Sequence, residues 1–252
     1  ASLAMADGDR AASEAAVDRA LAATPDMPDA LIRKASFQAE TNNVPAAIET
    51  LGRLLTRAPG NLQARVLRAE LLIRTNQEAA ARQDVDAALR LSPGNVPANY
   101  LTAMLQARAQ DWRAADDTLQ RLSPVLNNIS DGLLLLATVK RALNQTGQAE
   151  DAAQRYVARR PEDGRGVKLL ATMQLESNRF QAAADTLSRY VQRNANDAEA
   201  LDMLGRAQVG AGRPREAVRA LEQAVALAPE DSGIRARLAA ARLAAGDAAG
   251  TA

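Results

Sequence analysis

The 252-residue chain contains no cysteine and no histidine. The first absence excludes disulfides and thiolate metal sites, and it leaves the redox compartment unread. The second removes the commonest general base and the commonest metal ligand. A Ser–His triad is therefore impossible. Aromatic residues make up only 2% of the chain, and the formal net charge is +1. No basic face and no acidic tail marks a nucleic-acid partner. No run of about 18 apolar residues occurs, so no segment spans a membrane as a helix. Glycine-rich phosphate loops are missing too: "GAGRPREA" at Gly210 has neither a strand before it nor a Gly-Lys pair after it. Asp/Asn-rich calcium loops are absent. Carboxylates are many, but their helical neighbours are mostly arginine, as with Glu216 and Arg219. Such pairs belong to solvated helix faces. No catalytic residue, no cofactor-binding residue and no metal ligand is expected, and the chain reads as no enzyme.

What is present is alanine, the best helix former, arranged with a period. Counting back from Pro229 in steps of 34 gives Ala195, Pro161, Asn127, Pro93, Pro59 and Pro25. From Ala217 the same step gives Ala183, Ala149, Ala115, Ala81, Ala47 and Ser13. Another small column runs Ala35, Ala69, Ala103, Ala137, Ala171, Gly205 and Ala239. An apolar one runs Val17, Leu51, Val85, Leu119, Ala153, Leu187 and Leu221. No insertion or deletion interrupts the register. A period of this length means an array of stacked units rather than one or two ordinary domains.

Each unit divides into two helices. In "DAEALDMLGRAQVGA", Asp197 supplies an N-cap and Gly212 the stop. "PREAVRALEQAVALA" opens on Pro214 in its first turn and ends at Pro229. Pro28 and Pro97 open first helices, and Pro45 opens a second helix. The turn between the two helices falls on Gly8, Asn42, Asn76, Gln110, Asn144, Asn178, Gly212 and Gly246. Glycine and asparagine tolerate the left-handed conformation such a turn needs. The exception to this punctuation is "LQRLSPVLNNISDG", where Pro124 falls inside an expected second helix. It marks an irregular joint near residues 123–131, or a local kink with no role.

Helix–turn–helix units of 34 residues, small in two columns and closed by proline, resemble tetratricopeptide repeats. "LDMLGRAQ" at Leu201, "VKLLATMQ" at Val167 and "LLLLATVK" at Leu133 are similar to the family's first helix. Trp112 and Phe180 match the aromatic that often begins its second helix, and they read as packing residues. The resemblance implies an all-α, right-handed α-solenoid superhelix. The full repeats are 28–61, 62–95, 96–129, 130–163, 164–197 and 198–231. Residues 1–27 read as the end of a first helix and a complete second helix. Residues 232–252 read as a terminal first helix and a frayed tail. Neither end is convincingly capped, so the chain is expected to be part of a longer protein, with at least half a repeat upstream.

The resemblance also implies a function: a scaffold that binds a protein or peptide in a concave groove lined by first helices. One inward column holds Ile32, Val66, Tyr100, Leu134, Lys168 and Asp202, and the next holds Ser36, Glu70, Met104, Thr138, Thr172 and Arg206. The expected partner-binding residues are Ile32, Val66, Tyr100, Met104 and Leu134 on an apolar half. On a charged half they are Arg141, Arg165, Lys168 and Arg206. An equal alternative makes Ile32, Val66 and Leu134 inter-repeat core. The Lys/Asn clamp of the chaperone-binding relatives is not matched, because Lys168 stands alone and Thr172 fills the Asn place. The asparagine ladder of sugar-transferase relatives is reduced to Asn99. The runs from Asn99 to Gln120 and from Gly164 to Leu187 are similar to repeat lipoproteins of bacterial exopolysaccharide and exosortase (PEP-CTERM) systems. That likeness implies a periplasmic or envelope location, with the cytoplasm as the alternative. Two other functions stay open: a regulatory repeat domain of a larger enzyme, and an architectural oligomerisation module. The oligomeric state is left open.

Overall fold

The computed structural model describes residues 2–246, with side chains from residue 10 onward. Every regular element among them is helical. The chain divides into two compact units, residues 1–124 and 125–252. The N-terminal unit contains α1 (Ser2–Ala23), α2 (Pro28–Glu40), α3 (Val44–Arg57), α4 (Leu62–Arg74), α5 (Glu78–Leu91), α6 (Val96–Arg108) and α7 (Trp112–Arg121). A single turn of helix, α8 (Ser123–Leu126), carries the chain onward. The C-terminal unit contains α9 (Gly132–Ala142), α10 (Thr146–Arg159), α11 (Gly164–Glu176), α12 (Phe180–Val191), α13 (Ala198–Gly210), α14 (Pro214–Leu227) and α15 (Ser232–Ala245).

The first helices start where a side chain can satisfy a free backbone N–H. Asn61, Asn95, Asp163, Asp197 and Asp231, in register at 34 or 68 residues, accept bonds of 2.8–3.0 Å from the opening turns of α4, α6, α11, α13 and α15. Pro28, Pro45, Pro97 and Pro214 sit in first turns. The paired helices then cross on methyl groups. Ala47, Ala81, Ala115, Ala149, Ala183 and Ala217 are all 0% exposed, as are Ala35, Ala69, Ala103, Ala137 and Ala171. This close approach is what the small columns encode.

Between the helices of a pair the chain enters left-handed backbone at Asn42, Asn76, Gln110, Asn144, Asn178 and Gly212, with φ of +55° to +73°. Gln110 is the poor fit. Its Cβ meets the following carbonyl, and it lacks asparagine's short amide to compensate. Gln110→Gly is expected to stabilise the N-terminal unit by about 0.5–1 kcal/mol, the relief being partly offset by the freer unfolded chain. A urea midpoint that stayed or fell would remove strain from the account of this turn.

Within each unit the first helices of consecutive repeats touch: α2 with α4, α4 with α6, α11 with α13, and α13 with α15. Consecutive second helices make no comparable contact. The first helices therefore form the tighter side of each unit, and the second helices splay.

Two places depart from the regular register. The turn expected at Gly8 does not form: α1 runs unbroken from Ser2 to Ala23. Continuing the helical hydrogen bonds costs only about 1 kcal/mol for the glycine. The second departure is at Pro124. Helix α7 spans 10 residues, whereas α3, α5, α10 and α14 span 14. The cap column also breaks here, at Ile129. Helix α9 instead begins after Asp131, which makes no side-chain cap. The tail after Gly246 lies outside the described residues.

Candidate partner-binding faces

In the N-terminal unit the expected residues divide by depth. Ile32 is 7% exposed and belongs to the core with Leu31, Leu51 and Leu54. It leaves little surface for a partner. Val66 and Met104 are half-buried and pack on Leu72, Ile73, Leu101 and Leu105. Tyr100 is half-buried, one helical turn before Met104 on α6. Glu70 stands exposed a turn after Val66. Val66 and Met104 are thus held from below and open above.

In the C-terminal unit Leu134 is half-buried. The cations are mostly compensated. Arg141 reaches Glu176 at 2.5 Å, which raises its pKa further. Arg165 bridges Asp131 at 3.0 Å and Asp163 at 2.7 Å. Lys168 meets Glu199 at 2.5 Å and Asp197 at 3.4 Å. Burial opposes the Lys168 charge, but the two carboxylates outweigh it and raise its pKa. Asp202 is held by Arg237 at 2.5 Å. Arg206 differs. It is exposed and makes no ion pair among the described residues. With Thr172, Leu175, Glu176 and Phe180 it lines a hollow of about 260 Å³. Phe180 also covers Gly210, where a Cβ would lie 2.4 Å from the ring, so its role as a packing residue is built in.

Two networks hold these helices in place, and sequence reasoning missed both. The Tyr156 hydroxyl donates to Asp163 at 2.6 Å and lies 3.2 Å from Asp131. One repeat on, Tyr190 donates to Asp197 at 3.1 Å. In each case a second-helix tyrosine buttresses the N-cap aspartate of the next first helix. Burial first, then the bond to Asp163 and the nearby carboxylates, push the Tyr156 hydroxyl up to about 12. Arg165, opposed by burial and helped by Tyr156, holds Asp163 well below the usual carboxylate range. At Asp197 burial works the other way, but the Ala200 N–H, Tyr190 and Lys168 together lower its pKa. The available signal was the 34-residue pairing of Tyr156 with Tyr190 and of Asp163 with Asp197.

No group of three or more acidic side chains placed to hold a metal occurs among the described residues. None of the described helices is long and apolar enough to cross a membrane. What the faces offer is shape, apolar surface and, at Arg206, an exposed guanidinium with no ion pair among the described residues.

Comparison with known proteins gives a consistent result. One tetratricopeptide repeat family profile matches residues 1–61, 38–96 and 134–198, and a second matches 208–250. No curated protein sequence matches the chain. Among solved structures it is similar to a tetratricopeptide repeat protein from Parabacteroides merdae, at 15% identity over 94% of both chains and a TM-score of 0.64. PilF of Pseudomonas aeruginosa is 15% identical over 83% of this chain and 95% of that one, with a TM-score of 0.71. PilW, a widely conserved type IV pilus biogenesis factor, is 18% identical over 84% of this chain and 98% of that one, with a TM-score of 0.73. At these identities the likeness concerns the fold.

Proposed function

We infer, because this chain belongs to the tetratricopeptide repeat family, that it is a non-catalytic scaffold whose first-helix faces bind a partner protein or peptide. The observation that carries this reading is the apolar surface left open on α4 and α6. Val66, Tyr100 and Met104 are half-buried, and Val66 and Met104 are already packed on the core beneath them. Surface ordered in advance loses little entropy on binding. Tyrosine and methionine are also enriched where proteins meet. In the C-terminal unit, Leu134 and the hollow beside Phe180 and Arg206 offer the same kind of surface. Because Arg141, Arg165 and Lys168 are already paired, a partner's acidic groups find Arg206 before any other cation of this face.

The partner is a component of a bacterial envelope secretion or exopolysaccharide-assembly system, and the protein works in the periplasm or at the envelope. The sequence likeness to repeat lipoproteins supports this, as does the fold likeness to a pilus biogenesis factor.

The test is titration of the tightest peptide selected from a displayed library against the wild type and two variants. Tyr100→Ala is expected to weaken binding by roughly 1–3 kcal/mol, the loss typical of a buried aromatic anchor. Arg206→Ala should weaken it by less, about 0–1 kcal/mol, and the effect should shrink in high salt. Unchanged affinity for Tyr100→Ala, with helicity intact, would take binding off the first-helix face.

A further inference from the structure

Two Gln–Thr pairs, 68 residues apart, tie a first helix to its own second helix. Thr50 donates to Gln38 at 2.9 Å, and Thr118 donates to Gln106 at 2.9 Å. The third pair of the column, Gln174 and Thr186, is open. Gln174 is 5% exposed, and its Oε1 has no hydrogen-bond partner. Both residues instead line a cleft of about 580 Å³ walled by α10 and α12 and floored by α11.

The floor is apolar: Val167 is 1% exposed and Leu170 is 4% exposed. Arg189 and Arg193 stand on the α12 wall. Arg189 commits its Nε to the Asp185 carbonyl at 3.0 Å. Arg193 makes no ion pair among the described residues and is exposed. A second hollow of about 560 Å³ shares Tyr190 and Arg193 with the first.

We propose that this cleft is a second peptide site, on the splayed second-helix side of the C-terminal unit, and that it takes an acidic segment with one apolar residue. The apolar side chain rests on the half-buried Val157 and the exposed Pro161, with Val167 and Leu170 packed beneath them. Gln174, whose Oε1 is buried in the floor, turns its amide toward the cleft and accepts a backbone N–H of the segment. A neighbouring carboxylate lies against Arg193 and the free nitrogens of Arg189. Each part answers an observation. A buried acceptor without a donor is costly, and native structures rarely keep one unfilled. An isolated carboxylate or phosphate brings no donor, whereas a peptide brings one with each residue. The volume is many times that of a water, about 30 Å³ in the liquid, and falls in the range of ligand clefts. The site is independent of the first-helix faces, so either can fail without the other.

The probe is a fluorescein-labelled peptide in which leucine is flanked on both sides by paired aspartates. Its lysine counterpart serves as control. Anisotropy titrations of the full chain in low salt should show saturable binding of the acidic peptide and none of the basic one. Arg193→Glu should weaken binding by at least about tenfold, since it reverses the charge the carboxylate meets. Gln174→Leu should weaken it by about fivefold, the loss of one hydrogen bond. Gln208→Leu is the matched control. Gln208 also has an unpartnered Oε1 but does not line this cleft. That substitution should leave the affinity unchanged. Circular dichroism melts check that each variant folds. No binding by the wild type, equal binding of the lysine peptide, or full affinity in Arg193→Glu would each overturn the proposal.

Discussion

Asp84→Ala is expected to destabilise the N-terminal unit by about 3 kcal/mol, the lower end of what breaking a buried charge pair costs. Asp84 is 1% exposed on α5. Arg68 grips it with Nε at 2.6 Å and Nη2 at 2.7 Å, and Arg65 adds a third bond at 3.1 Å. The position belongs to the column of Thr50 and Thr118, whose hydroxyls reach a glutamine on the paired helix. The glutamine column holds Leu72 here. The longer charged side chain turns instead to two arginines of α4. Truncation removes the acceptor and leaves two guanidiniums facing a cavity. Their side chains are 18% and 26% exposed, so both recover some water, which is why the lower figure is expected. Trp112, the only tryptophan of the chain, lies in the same unit and reports its unfolding. A denaturation midpoint equal to the wild type would mean the pair contributes nothing net.

Gly166→Ala should cost the C-terminal unit a similar amount. A Cβ built on Gly166 lies 2.3 Å and 2.6 Å from two carbons of the Tyr156 ring. The ring cannot swing aside. It is 2% exposed, and its hydroxyl is tied to Asp163. Overpacking costs roughly 1–3 kcal/mol, and a displaced ring also weakens a hydrogen bond to a charged group, worth about 1.5–3 kcal/mol. The sum of partial losses is about 3 kcal/mol. Gly60→Ala is the control, because nothing lies within 4 Å of its Cβ position; it should stay within about 0.5 kcal/mol of the wild type. Equal melting of the two variants would show that Tyr156 does not buttress α11.

The fold was legible because its main contacts repeat. Ala149 and its equivalents announce a close helix crossing, and the structure buries all six completely. Proline and asparagine positions mark the helix ends for local reasons that need no tertiary knowledge. Gly8 misled because glycine permits a left-handed turn without imposing one, and a helix carries it at a cost of only about 1 kcal/mol. The faces were harder to read. Core and groove residues share the apolar side of one helix, so hydrophobicity alone could not separate Ile32, which is buried, from Val66, which is half open. Charge pairing was hidden for another reason. Arg141 and Lys168 find partners 35 and 31 residues on, and Arg165 finds one of its two 34 residues back, about one repeat away, where local i, i+4 reasoning does not look.

The central claim is that partners bind the first-helix face. Hydrogen–deuterium exchange on the full chain tests it most directly, with a peptide selected from a displayed library on the Arg193→Glu variant, so that the outer cleft is disabled. The account predicts slowed exchange in α4 and α6, or in α11 and α13, and loss of that protection in Tyr100→Ala or Arg206→Ala respectively. Protection confined to the second helices α3, α5, α12 and α14, insensitive to both substitutions, would contradict it.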